Sequence, residues 1–224
     1  IKMNKSRKVG ISILSFNNYN QIKNLLEAIF EQDLNGIILN VDILDSTTDD
    51  STSKKINRFI KDKIFIRYIK IVNLDFSHGK TRQLAIERAI NRKEEFLIFI
   101  VQDAIPISNQ YVKNHINSHD LDPLVAIVFG KQVPYPNHSI LTKATINSVF
   151  DSLSPNDEIV YHRKGSNQIG TYFNSNVNAS YKLNHFINGN LKFESVDYAE
   201  DQKIAKLAID LNYIKIYNPN CCVI

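Results

Sequence analysis

What most constrains the fold is rhythm. From residue 9 to residue 130, apolar runs of strand length alternate with segments of helical spacing. The runs are "VGISILSF" (9–16), "GIILNVDIL" (36–44), "FIRYIKIVNL" (65–74), "FLIFIVQ" (96–102) and "LVAIVFG" (124–130). Between the first two, Ile22, Leu25, Leu26, Ile29 and Phe30 recur at the period of a helix face. Residues 51–62, 77–92 and 108–119 read as further helices, with Asp50 and Ser77 suited to cap the second and third. Strand and helix alternating at these lengths predict an α/β fold: a mixed, mainly parallel central sheet with helices on both faces.

After Gly130 the rhythm breaks. Residues 131–176 carry Pro134, Pro136 and Pro155 among many Asn and Ser, with one helical piece from Thr142 to Phe150. Apolar residues persist, so this stretch reads as an excursion of the same domain. A helix, "YAEDQKIAKLAIDLN", and a strand, "YIKIY", follow. The expectation is one domain over 1–224, taken from a longer protein because the chain opens on Ile1 and stops on "CCVI".

Composition narrows the function classes. A hydrophobic fraction of 43% over 224 residues supports a full core. No apolar run approaches the roughly 18 residues of a membrane span, and no secretory signal pattern is present. A net charge of +4 and a pI of about 8.9 suit an anionic ligand or peripheral association with an acidic membrane surface. No Cys/His finger and no basic run interleaved with aromatics points to nucleic acid. Cys221 and Cys222 are adjacent and offer no disulfide framework, which suggests a reducing, cytoplasmic setting.

The strand ends carry the polar residues. "SFNNYN" follows the first strand, "LDSTTDDST" ends the second, "NLDFSHGKTR" the third and "QDA" the fourth. In a parallel sheet these four clusters line one edge, where open α/β sheets bind ligands. Asp103 stands immediately after a run apolar enough to be buried on both faces. A carboxylate there either begins a turn before Pro106 or holds something.

The motifs resemble the family 2 nucleotide-sugar glycosyltransferases, with their Rossmann-like GT-A fold, and especially the rhamnosyltransferase-like members. The resemblance rests on "LDSTTDDST", "FSHGKTRQLAIERA", "VQDAIP", "GKQVP", "SNVNASY" and "AEDQKIAK", in family order over residues 9 to 217. There are departures. Thr47 replaces a glycine in the acidic turn, Lys131 replaces an arginine in "GRQ", and no "QxxRW" follows the late acid pair. A His-containing segment of similar enzymes would lie past Ile224.

The resemblance implies that residues 1–130 bind the nucleotide and residues 131–224 hold the acceptor and the catalytic acids. Asp103 is then the ligand of Mn²⁺ or Mg²⁺, cations that need few protein oxygens when phosphates supply the rest. Asp45 would accept from the imide N–H of uracil or thymine, or else cap the Ser/Thr-rich turn that follows it. Ser15, Asn17, His78, Arg82 and Gln102 would complete the nucleotide site. Arg82 suits a base or phosphate oxygen or a surface ion pair, and His78 touches phosphate or merely precedes a helix. Lys131, Gln132, Asn176 and Asn178 would face donor or acceptor sugar. Asp201 would be the catalytic base, with Glu200 beside it orienting the acceptor or the helix. The implied reaction is inverting transfer of a hexose or deoxyhexose from a UDP- or dTDP-sugar to a glycan, lipid-linked or protein hydroxyl. A sugar nucleotidyltransferase and a non-catalytic carbohydrate- or partner-binding domain stay open. His115 and His119, spaced i, i+4, are expected on a solvated helix face rather than on a metal.

Overall fold

The computed structural model describes residues 6–72 and 76–224. Strands β1 (Arg7–Ser15), β2 (Ile37–Asp45), β3 (Ile66–Lys70), β4 (Phe96–Val101) and β5 (Val125–Gln132) alternate with helices α1 (Tyr19–Phe30), α2 (Asp50–Ile60), α3 (His78–Asn91) and α4 (Tyr111–His119). Then come α5 (Ile140–Leu153), β6 (Val160–His162), β7 (Asn178–Lys182), the short α6 (Asn184–Ile187), α7 (Glu200–Asp210) and β8 (Ile214–Val223). All eight strands join one sheet, ordered β3-β2-β1-β4-β7-β5-β8-β6. β3, β2, β1 and β4 run parallel, as do β5 and β8, whereas β7 is antiparallel to β4 and β5, and β6 to β8.

Helices cover both faces. Ile22, Leu25 and Leu26 of α1, Ile56 of α2 and Val112 of α4 pack on one face against Val9, Ile11 and Ile13 of β1. Ala85 and Ile86 of α3, Phe150 of α5 and Ala205 and Ala208 of α7 pack on the other against Leu97 and Phe99 of β4. A central strand sandwiched this way must be apolar on both sides, which is why "FLIFIV" lacks alternation.

Several expectations need correction. β3 stops at Lys70; the expected run to Leu74 enters residues 73–75, outside the described residues. The cap of α2 is Asp49, whose carboxylate accepts from the N–H groups of Ser51 and Thr52, not Asp50, the first helical residue. α4 begins at Tyr111 rather than Ser108, and the last strand continues through Pro219 to Val223. β6 and β7 were not expected at all. β7 reads "NASYK", and its polar Asn178 and Ser180 hide the strand period because a buried polar surface meets them. His115 and His119 are not solvated: both are fully buried on α4, where their rings engage Ser180 and Asn178.

Candidate active site

The register of the parallel strands brings the polar clusters together. Ser15 pairs with Asp45 across β1 and β2, Asp45 with Lys70 of β3, and Leu14 with Val101 of β4. The segments after β1, β2 and β4 thus leave the sheet side by side. A cleft of about 190 Å³ opens there, lined by Ser15, Phe16, Ser46, Phe76, His78, Arg82, Gln102 and Asp103. A second cleft, of about 200 Å³, is lined by Asp103, Gln132, Tyr135, His138 and Val177. Val101 and Asp103 border both, so Asp103 stands at their junction.

Asp103 itself is exposed, and its carboxylate has no hydrogen bond or ion pair with another described residue. Its backbone carbonyl is held at 2.9 Å by the Tyr135 hydroxyl. Among the described residues no three His, Cys, Asp or Glu side chains converge on a point. A lone free carboxylate at a cleft junction fits a hard divalent cation whose other ligands are phosphate oxygens and water. It does not fit a closed, all-protein metal cage.

Asp45 is placed otherwise than expected. Its carboxylate is fully buried and accepts from three hydroxyls: Ser15 and Tyr68, each at 2.5 Å, and Thr47. Burial and the neighbouring Asp45 push the Tyr68 hydroxyl up to about 12, so it stays a donor. Thr47, the departure from the family glycine, also accepts from the Asn17 N–H at 2.8 Å. The Asn17 carboxamide accepts in turn from the Thr48 N–H at 3.1 Å. Asp45, Thr47 and Asn17 therefore knit the loops after β1 and β2, with Asp45 fully buried beneath them. Ser15 and Ser46, not Asp45, face the cleft. Gln102 pairs reciprocally with the Phe16 backbone, at 2.9 and 3.0 Å, and locks the β1 and β4 ends together.

Helix α3 aims its first turn at the same cleft. Ser77 caps it through the Lys80 N–H. Gly79 lies where a β-carbon would come 1.8 Å from the Glu194 carbonyl oxygen, so only glycine lets the 194–196 segment lie against this turn. His78 is exposed with its ring 5.0 Å from that of Phe76. Arg82 is buried rather than on the surface. Its Nε donates to Glu200 Oε1 at 2.9 Å, its guanidinium lies 4.8 Å from the Phe99 ring centre, and Nη1 finds no partner among the described residues. A buried guanidinium at a cleft wall with an unmet donor favours an anion.

Glu200 and Asp201 open α7. The residue before them, Ala199, has φ +55°, a left-handed conformation that costs a non-glycine residue about 1–3 kcal/mol. Their environments divide the pair. Burial raises the Asp201 carboxyl and the neighbouring Glu200 charge raises it further, above its ordinary value. Burial opposes ionisation of Glu200 too, but the Arg82 charge and hydrogen bond with that from Asn176 outweigh it, and Glu200 lies below its ordinary value. Two acids pushed apart in this way suit different roles.

Of the expected sugar contacts, Gln132 lines the second of these clefts and Lys131, Asn176 and Asn178 line neither; the Gln132 amide donates to Ser175 Oγ at 2.8 Å. Lys131 points to the other side of β5 and pairs with Asp157 at 2.7 Å. Asn178 is fully buried: it accepts from Tyr111 and donates to the Cys221 carbonyl, so its side chain is committed to the core. Asn176 is buried against Glu200. The sequence reading did not single out Phe16, Ser46, Phe76 or Tyr135, although Phe16, Ser46 and Phe76 lie within the stretches it quoted.

No family model matches the chain. The chain is 30% identical over 212 residues to the O-antigen chain rhamnosyltransferase RfbN of Salmonella typhimurium, a match covering 94% of this chain and 63% of that protein. It therefore spans less than two thirds of that relative's length. Among solved structures, it superposes on the mannosyltransferase PcManGT of Pyrobaculum calidifontis, in complex with GDP-Man and Mn²⁺ (TM-score 0.66, 18% identity, 96% of this chain and 55% of that one). It also superposes on TarS of S. aureus in complex with UDP (TM-score 0.67, 17% identity, 94% and 60%). At these identities the structural likeness shows the fold, and that fold is the expected GT-A arrangement.

Proposed function

We infer that the chain is a family 2, rhamnosyltransferase-like glycosyltransferase of the GT-A fold, and we propose that it transfers a hexose or deoxyhexose from a UDP- or dTDP-sugar to a glycan, lipid-linked or protein hydroxyl, with inversion. The observation that carries this reading is the junction at Asp103. The cleft at the strand ends and a second cleft meet at one free carboxylate, with a divided acid pair in the chain's second half. The kinship with a rhamnosyltransferase supports the reaction class.

The chain's residues then take these parts. The cleft beside Ser15, Phe16 and Ser46 receives a pyrimidine ring, Arg82 lends its positive charge to the cleft wall, and Asp103 would hold Mn²⁺ or Mg²⁺. When bound, that cation neutralises charge building on the diphosphate. The acceptor oxygen attacks the anomeric carbon while the bond to the diphosphate oxygen breaks and its electron pair departs with the diphosphate. Asp201 takes the acceptor proton, a task helped by a raised pKa. Among the described residues no helix is long and apolar enough to cross a membrane. Work at the inner membrane face on a lipid-linked acceptor belongs to the proposal.

Calorimetry with UDP, dTDP and GDP, with and without Mn²⁺, tests this. UDP or dTDP should bind more tightly than GDP, and Mn²⁺ should strengthen them. Tighter GDP, or no nucleotide binding at all, would sink the reading.

A further inference from the structure

The acid pair at the start of α7 is the end of a buried polar chain that runs in one direction. Asn174 Nδ2 donates to the Tyr181 hydroxyl at 2.9 Å. The Tyr181 hydroxyl donates to Asn176 Oδ1 at 2.6 Å. Asn176 Nδ2 donates to Glu200 Oε1 at 3.3 Å, and Arg82 Nε reaches the same oxygen from α3. Every donor in the series points towards the Glu200 carboxylate, so each bond polarises the next in the same sense. The Asn176 backbone N–H also faces the Asp201 carboxylate and eases its ionisation. Tyr181 and Asn176 are almost wholly buried, the Tyr181 ring being held between Phe99, Phe186 and Phe193.

We propose that Tyr181 and Asn176 are positioning residues: with Arg82 they hold Glu200 as a permanent anion beside Asp201 and so leave Asp201 as the proton acceptor of the pair. This rests on the glycosyltransferase reading above. An asparagine is suited to the middle of such a chain because its amide accepts at one end and donates at the other. An aspartate there would set a third acid against the pair, and an alanine would leave the Tyr181 hydroxyl and Glu200 short of a buried partner. The charged and titratable groups bearing on the pair are Arg82 from α3, Tyr181 from β7, and each acid on the other. Glu200 thus acts through its neighbour: its charge lies next to Asp201, where a like charge disfavours ionisation. Ala199, left-handed at φ +55°, stands immediately before the two acids.

The test is a titration that needs no sugar donor. Carboxyl ¹³C NMR of the chain with labelled Asp and Glu should show Glu200 titrating below its ordinary range and Asp201 above. In Glu200→Gln, which keeps the shape and loses the charge, the acid dissociation constant of Asp201 should rise about tenfold. In Tyr181→Phe, which keeps the ring and loses the donor, that of Glu200 should fall about threefold. An unmoved Asp201 in Glu200→Gln overturns the proposal even if Tyr181→Phe does not fold. UDP binding in the presence of Mn²⁺ is followed in the same samples. Unmoved titrations with UDP bound would remove the relay and leave the glycosyltransferase reading standing. Absence of binding by the wild-type chain to any pyrimidine nucleotide would remove that reading, and the relay's catalytic purpose with it.

Discussion

At the scale of single residues, position along a strand decides chemistry. Asp45 and Asp103 each follow a buried apolar strand, and the sequence presents them as equals. The structure separates them by what surrounds them: Asp45 is buried and accepts from three hydroxyls, whereas Asp103 emerges into solvent between two clefts. A buried carboxylate bonded to hydroxyls from three segments organises loops, and an exposed unpaired one can take a cation. Asp103→Asn should leave the melting temperature unchanged and weaken the Mn²⁺-dependent part of UDP binding by about tenfold or more, since loss even of groups supporting a metal ligand costs 10–100-fold. Unchanged affinity in the presence of Mn²⁺ would return Asp103 to the role of a turn residue. The difference between the two acids was not legible in the sequence, because the third hydroxyl on Asp45 belongs to Tyr68, a residue 23 positions away on β3.

At the scale of elements, the alternating half of the chain was legible and the polar strands were not. Strands β1, β2, β4 and β5 are apolar runs flanked by helical patterns, so periodicity locates them within a few residues. β7 escapes because it exchanges the usual apolar face for Asn178 and Ser180. These meet the two α4 histidines, which are themselves apt to be misread as exposed. Polar residues that satisfy one another in the core look, in sequence, like a loop beside a solvated helix. The start of α3 was legible through Ser77, but the reason for Gly79 lies in a segment more than a hundred residues later. The Gly79 N–H donates to the Val196 carbonyl at 3.0 Å, and the Ser77 hydroxyl does the same. Gly79→Ala should force that segment away, costing about 1–3 kcal/mol as overpacking does. It should also weaken UDP binding by displacing His78 and Arg82. Denaturant unfolding with calorimetry reads both effects, and a variant of wild-type stability would show that the 194–196 segment yields without cost.

At the scale of the whole molecule, several titratable groups are buried in the core, and together they set a pH window. Burial pushes His115 down to about 4, and His119 and His162 to about 3. Each is neutral in the folded protein yet takes up a proton near its ordinary 6.5 once unfolded. A group whose folded pKa is depressed contributes stability in full above its unfolded value and loses it as the pH falls towards the folded one. These three therefore destabilise the fold progressively from about pH 6.5 down to about 4 and below. Lys215, buried and pushed well below 10.5, acts in the same direction: its penalty shrinks as the pH rises. Cys221, Tyr111 and Tyr181 act oppositely, because burial raises them above their ordinary 9.0 and 10.0. Their contribution is complete below those values and declines above them, where the unfolded chain alone ionises. The sum places maximal stability between about pH 6.5 and about pH 9. Melting temperatures taken from pH 5 to pH 9 should peak in that window and fall by roughly 10 °C or more at pH 5, since each of the three histidines removes about 2 kcal/mol there. His119→Gln, which can still meet Ser180, should flatten the acid side of the curve. A melting temperature independent of pH between 5 and 7.5 would mean that these histidines do not stay neutral and buried in the folded protein.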